Sequence, residues 1–265
     1  MGAQAVSLRT PLPWYGGKAI KCRRIAPHLP MRTCYVEPFG GMASVMLHRP
    51  PCAVELLNDR DGDVVNWWRT LRERPGELAH LVRFTALARD ELAQAFTDVD
   101  SDDPLIRAWA FSVIAIQGLG RSETPRQWRH TIGGVRTIYP NAVAADRIEA
   151  VAARMAHVQI ENDDAIEVLE RCIGRPGLVM YCDPPYRYAD TRPYGAQVDH
   201  AVMVEALLAQ PAESWIAVSG YPDDYPELTE AGWRTESWET VEHVNHQPRT
   251  ETLWINQPDP QPAMF

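Results

Sequence analysis

Of the 26 basic side chains in this 265-residue chain, only Lys18 and Lys21 are lysines. An ammonium used so sparingly points to a task that a planar guanidinium cannot fill. No run of about 18 apolar residues occurs, which argues against a membrane-spanning helix. Met1 to Thr10 lack a basic stretch followed by an apolar one, so no secretory leader is expected. The five cysteines, Cys22, Cys34, Cys52, Cys172 and Cys182, are odd in number and contain no Cys-x-x-Cys pair. That pattern fits reduced thiols in a cytoplasmic protein better than a disulfide framework or a zinc site. A Gly-x-Gly-x-x-Gly fingerprint, a Walker loop and a serine elbow are all absent. His243 and His246 stand three apart but have no cysteine or acid set around them, and no metal is expected.

Positive charge is also scarce overall, with a net charge of −9. It is unevenly spread. Residues 1–60 and 104–147 are locally basic, whereas residues 199–265 hold many acids against Arg234 and Arg249 alone. Such polarisation lets one face meet phosphates while the molecule stays acidic.

The chain shows strand–helix alternation at both ends. Cys34–Glu37, Ala53–Leu57, Val158–Ile160, Leu178–Cys182, Trp215–Ser219 and Leu253–Ile255 have the character of short strands. Helical patterns fall between them, after Gly40-Gly41, over Asp63–Arg74, Asp164–Cys172 and Asp199–Leu208. The alternation predicts an α/β fold with a mostly parallel, Rossmann-like sheet. From Leu78 to Asn141 it lapses into helices and an arginine- and glycine-rich stretch. The expected organisation is therefore a catalytic domain from residues 1–77 and 142–265, with 78–141 as an insertion.

The strongest local signal is Val179-Met-Tyr-Cys-Asp183-Pro184-Pro185-Tyr186. An apolar strand delivers an acid, two prolines and an aromatic to the edge where open α/β sheets bind ligands. Two prolines stiffen the turn and leave carbonyl acceptors. A carboxylate and a proline carbonyl together suit both hydrogens of an exocyclic amine, and a flat tyrosine suits an extruded base. Glu37-Pro38-Phe39-Gly40-Gly41 puts glycines, which allow close backbone approach to a ligand, just before a helix. Asp59 ends the next strand, where an acid binds ribose hydroxyls in comparable folds; capping the following helix is the other role open to it. Trp14-Tyr15-Gly16-Gly17-Lys18 brings the rare lysine into an aromatic–glycine cluster, where it suits an anion such as a methionine carboxylate. An exposed loop lysine is the plainer alternative.

Taken in order, Trp14-Tyr-Gly-Gly-Lys18, Glu37-Pro-Phe-Gly-Gly41, Asn58-Asp59 and Asp183-Pro-Pro-Tyr186 resemble the Dam-like DNA adenine-N6 methyltransferases of the alpha arrangement. The resemblance runs from about Pro11 to Ile255 and takes in Gln117-Gly-Leu-Gly-Arg121, Ser219-Gly-Tyr221 and Glu251-Thr-Leu-Trp-Ile-Asn256. It implies S-adenosylmethionine as methyl donor, bound by Trp14, Lys18, Glu37, Phe39, Gly40, Asp59 and Asp183. It implies catalysis at Asp183, Pro184, Pro185 and Tyr186, without a metal, on adenine flipped from double-stranded DNA. It makes 78–141 a recognition segment in which Gln117, Leu119, Arg121, Arg126 and Arg129 meet DNA, with Trp128 and Gly133-Gly134 in a neighbouring hairpin. Ala43 departs from the resemblance, standing where a glycine is usual. A monomer of phage or prophage type, serving DNA protection or regulation, is the corresponding expectation. Transfer to an RNA base or cytosine N4, and DNA binding without activity, are the alternatives that the sequence leaves open.

Overall fold

The computed structural model describes residues 8–14, 16–118, 128, 141–187, 198–241 and 248–257. Its strands are β1 (Cys34–Glu37), β2 (Val54–Asn58), β3 (Gln159–Glu161), β4 (Leu178–Cys182), β5 (Trp215–Gly220), β6 (Arg234–Val241) and β7 (Pro248–Ile255). They form one seven-stranded sheet in the order β3-β2-β1-β4-β5-β7-β6. Pairs β1–β2, β1–β4, β2–β3 and β4–β5 are parallel, while β7 runs antiparallel to both β5 and β6. Strand order reverses between β1 and β4, which is where open α/β sheets form a crevice at their carboxyl ends.

The first helices are α1 (Cys22–Ile25), α2 (Ser44–His48) and α3 (Gly62–Glu73). Between α3 and β3 lie α4 (Pro75–Phe84), α5 (Arg89–Asp98), α6 (Pro104–Gln117) and α7 (Asn141–Met155). The last are α8 (Ala165–Arg171), α9 (His200–Leu208) and α10 (Pro226–Glu230). Aspartates start four of them: Asp61, Asp103, Asp164 and Asp199 each accept a backbone N–H from the first turn of α3, α6, α8 and α9. Among the described residues, no helix is long and apolar enough to cross a membrane.

Both faces of the sheet are covered, and side chains alternate between two cores with the strand period of two. Along β4, Leu178, Met180 and Cys182 join the core under α8, α9 and α10, whereas Val179 and Tyr181 join the other. That second core also holds Tyr35, Leu57, Ala217, Leu253 and Ile255 from the sheet. Opposite them it takes Trp67, Trp68, Leu78, Val82, Leu105, Phe111 and Ile148 from α3, α4, α6 and α7. A smaller cluster between α5 and α6 consists of Leu92, Ala95, Ala110 and Val113.

The sequence anticipates only the last three residues of β7 and none of β6. Along β6, side chains alternate between exposed and half-buried, and Trp238 is one of few apolar residues, so the strand has little hydrophobic pattern to reveal it.

Candidate active site

The strand period decides which polar groups meet. Tyr35 and Glu37 on β1, Tyr181 and then Asp183 on β4, and Ala217 and Ser219 on β5 share the face of the larger core. Glu251 on β7 joins them, two residues before Leu253. Because β7 is antiparallel, with Gly220 opposite Thr252, its early residues lie at the same sheet edge as the ends of β4 and β5. The polar side chains of four strands therefore converge beside the crevice.

Lys18 closes this group. Its ammonium lies 2.5 Å from Asp183 Oδ1 and 3.4 Å from Glu251 Oε1, and the side chain is 4% exposed. Lys21 pairs with the other end of the Glu251 carboxylate. The Tyr186 hydroxyl donates to Glu251 Oε1 at 2.6 Å, Lys18 Nζ lies 5.0 Å from the Tyr186 ring centre, and Tyr221 stands edge-on to that ring at 4.6 Å. Tyr181 and Ser219 share a hydrogen bond of 2.8 Å just beneath.

Burial and pairing compete in setting the charges. Burial pushes the Asp183 carboxyl up, and Lys18 only partly offsets this. Burial also pushes Glu251 up, but Lys18 and Lys21 outweigh it and leave this carboxyl below its usual range. Lys18 is drawn down by burial, yet Asp183 and Glu251 prevail and keep it firmly charged. For Tyr186, burial and then the Asp183 and Glu251 charges raise the phenol well above its ordinary value.

At the neighbouring edge, the Glu37–Gly41 turn is braced on all sides. Gly40 N–H donates to Asn58 O at 2.7 Å, and Gly41 N–H donates to Asp59 Oδ2 at 2.7 Å. Trp68 Nε1 donates to Gly41 O at 2.7 Å. Asn58, fully buried, donates to Pro38 O and Asp163 O and accepts Asp163 N–H, tying β2 to the turns on either side. Close packing demands glycine at both positions. A Cβ at Gly40 would meet Leu57 Cδ1 at 2.4 Å and Asn58 O at 2.9 Å, and one at Gly41 would meet Trp14 Nε1 at 2.9 Å. Asp59 does not cap α3, since Asp61 does; Asp59 Oδ1 instead accepts the Asp61 N–H at 2.9 Å.

Glu37 is buried, takes the Tyr35 hydroxyl at 2.7 Å, and is raised to about 8 chiefly by burial. Phe39 is half-buried against the core of the opposite face, and Trp14 lies 5.6 Å from Phe111. Pro184 is buried and Pro185 half-buried. Gln117 is 1% exposed, donates to Ala86 O at 2.9 Å and accepts from Trp128 Nε1 at 3.3 Å. Leu119, Arg121, Arg126, Arg129 and the turn at Gly133-Gly134 lie outside the described residues, as do Tyr15, His243 and His246. Among the described residues, no three metal-ligating side chains gather.

Sequence reasoning assigned no role to Glu251. The signal is there, since an acid two residues before Leu253 occupies a core-facing position of a strand, where a charge needs partners.

The profile of the family described as D12 class N6 adenine-specific DNA methyltransferase matches residues 14–197. The chain belongs to this family. "DNA adenine methylase" of Vibrio cholerae serotype O1 is 26% identical over 183 residues, covering 66% of this chain and 64% of that one. The protein of the same name from Escherichia coli strain K12 is 26% identical over 184 residues, with the same coverage. "DNA N-6-adenine-methyltransferase" of Escherichia phage P1 is 28% identical over 187 residues, covering 67% of this chain but 24% of the phage protein. The match thus spans slightly under two thirds of the Vibrio and Escherichia relatives. Among solved structures, an rRNA methylase from Streptococcus thermophilus aligns with TM-score 0.37 and 9% identity, over 90% of this chain and 95% of that one; a likeness that loose carries no argument. The D12 profile covers the Trp14–Lys18 cluster, the Gly40-Gly41 turn, Asp59 and Asp183–Tyr186, and stops short of Glu251.

Proposed function

We propose that this D12-class protein transfers the methyl group of S-adenosylmethionine to N6 of adenine in double-stranded DNA. The observation that carries the reading is the placement of Asp183. Its carboxylate ends β4 at the point where strand order reverses, gripped on one oxygen by Lys18 and flanked by Tyr186. Oδ2 of Asp183 and the Pro184 carbonyl accept the two hydrogens of the incoming amine and orient its lone pair towards the donor. The negative Asp183 favours positive charge growing on that nitrogen. Tyr186 supports the plane of a base drawn out of the duplex.

The crevice suits the donor by its chemistry. Asp59, anchored on the Gly41 N–H, stands at the end of β2 where a ribose would be held, and the half-buried Trp14 ring lies against the same Gly41. When bound, S-adenosylmethionine supplies an electrophilic methyl group on a sulfonium sulfur, so neither a metal nor a covalent enzyme intermediate is required. Residues 78–141 carry DNA recognition on this reading, supported by the arginines clustered between Arg107 and Arg136.

The test is incubation of the pure protein with mixed-sequence duplex DNA and tritiated-methyl S-adenosylmethionine, followed by nucleoside analysis. Label in N6-methyladenine is expected in the wild type. Asp183→Ala should lower turnover by about a thousandfold or more, as loss of a group serving the transition state does, while the melting curve persists. Label in cytosine alone, no label in the DNA, or undiminished label with Asp183→Ala, would sink the proposal.

A further inference from the structure

We infer that Glu251 is a positioning residue of the transfer site: from β7 it fixes the Tyr186 ring through the hydroxyl and retains Lys18 beside Asp183. The role rests on the methyl-transfer reading above. A carboxylate with no solvent exposure is costly unless partners surround it. Every partner identified for Glu251 comes from a segment that builds the site. Tyr186 donates at 2.6 Å, Lys18 stands at 3.4 Å, and Lys21 forms an ion pair with it. With Asp183, two ammonium groups face two carboxylates, so the charges of the set balance.

The fold itself does not ask for an acid here. Leu253 and Ile255, at the same face two and four residues on, fill their positions with hydrocarbon. An aliphatic side chain at 251 would continue that row. It would also leave Lys21 and the Tyr186 phenol without this acceptor, and Lys18 with Asp183 alone. Glu251 therefore serves the groups above the sheet more than the sheet.

Its geometry accounts for two needs of the reaction. The ring of Tyr186 must hold one orientation to support a base. The hydroxyl is tied to Glu251, Tyr221 packs edge-on, and Lys18 lies over the ring, so rotation is blocked on three sides. Asp183 must also accept an amine without losing its counterion. Lys18 is shared between the two carboxylates, tightly with Asp183 and loosely with Glu251, so it has a second anchor when the acceptor draws on Asp183.

The experiment compares wild type, Glu251→Gln, Tyr186→Phe and the double variant. Kinetics on duplex DNA, donor affinity by calorimetry and lysine acylation rates by mass spectrometry are measured for each. Glutamine keeps the size and still accepts from Tyr186, but it loses the charge. The expected Glu251→Gln result is a kcat fall of about tenfold to a hundredfold, the range for a misplaced site group. Donor Kd should stay within about twofold. The loss should shrink when Tyr186 is already phenylalanine, because groups in contact couple. Since the chain has only two lysines, acylation reports on the network directly. Loss of the carboxylate frees the Lys21 ammonium from its ion pair and removes one of the two anions beside Lys18, so acylation of both should rise about threefold or more.

Unchanged kcat and unchanged lysine rates would overturn the proposal, as would a loss strictly additive with Tyr186→Phe. Should Glu251→Gln not fold, an unchanged kcat in Tyr186→Phe overturns it from the other side. If the wild type transfers no methyl to adenine, the function proposed above fails. The lysine rates then still decide whether Glu251 holds both ammonium groups.

Discussion

At the scale of single residues, Ala43 is the clearest case of local strain. It takes the left-handed conformation, with φ 50° and ψ 36°, at the start of α2, and it is fully buried. Two effects oppose each other on replacing it with glycine. Strain of roughly 1–2 kcal/mol is relieved. Against that, a buried methyl worth about 0.8 kcal/mol is lost, and glycine's extra unfolded freedom costs about 0.5–1 kcal/mol. Ala43→Gly should therefore leave stability within about 1 kcal/mol of wild type. Ala43→Val adds β-branching to a left-handed position with no room, and should cost about 2 kcal/mol or more. Chemical denaturation of both variants checks this; a Val variant as stable as the Gly one would refute it. Legibility at this scale follows the same logic. Asp183–Tyr186 and Lys18 stand out in the sequence because unusual residue types sit in short motifs. Glu251 does not, because its meaning depends on Lys18 and Tyr186, which the chain brings to it only through the register of β7 on β5.

At the scale of elements, one ion pair ties the helical layer to the sheet. Arg154 on α7 grips Glu55 on β2 through two hydrogen bonds of 2.5 and 2.7 Å and reaches Met46 O at 3.2 Å, with both side chains nearly buried. Removing one member strands the other charge out of water. Glu55→Ala should destabilise by about 3–5 kcal/mol, whereas the joint change Glu55→Leu with Arg154→Met should cost clearly less. Denaturant midpoints of the three proteins give the comparison, and equal losses would contradict it. The parallel strands β1, β2, β4 and β5 were readable because each is a short apolar run ended by an acid, asparagine or glycine. Helix starts were readable wherever an aspartate precedes the apolar stripe. β6 and the first half of β7 were not, because no residue from Arg234 to Thr240 is fully buried, so neither face of β6 requires an apolar row.

At the scale of the whole molecule, the buried Glu37 couples global stability to pH. Its folded pKa of about 8 lies above the ordinary 4.5, so the folded protein keeps a proton that the unfolded chain releases. This contribution is fully present below the unfolded pKa and is lost as pH rises towards and through about 8. Other carboxylates titrate as well, so the difference from Glu37→Gln isolates the effect. The variant should gain stability relative to wild type by a few kcal/mol between pH 5 and pH 8.5, since each pKa unit corresponds to about 1.4 kcal/mol. Parallel thermal melts at the two pH values measure it, and a constant difference would exclude Glu37 as the source.

The sheet order has a consequence for how the protein comes into being. β7 is the last of the described strands to be synthesised, yet it lies inside the sheet, between β5 and β6. A nascent chain that has already released Asp183 from the ribosome has β6 with nowhere to dock and Lys18 with only one of its two anchors. The charge tetrad is thus incomplete until β7 has emerged, when its insertion between β5 and β6 seats both strands and brings Glu251 to Lys18 and Tyr186 together.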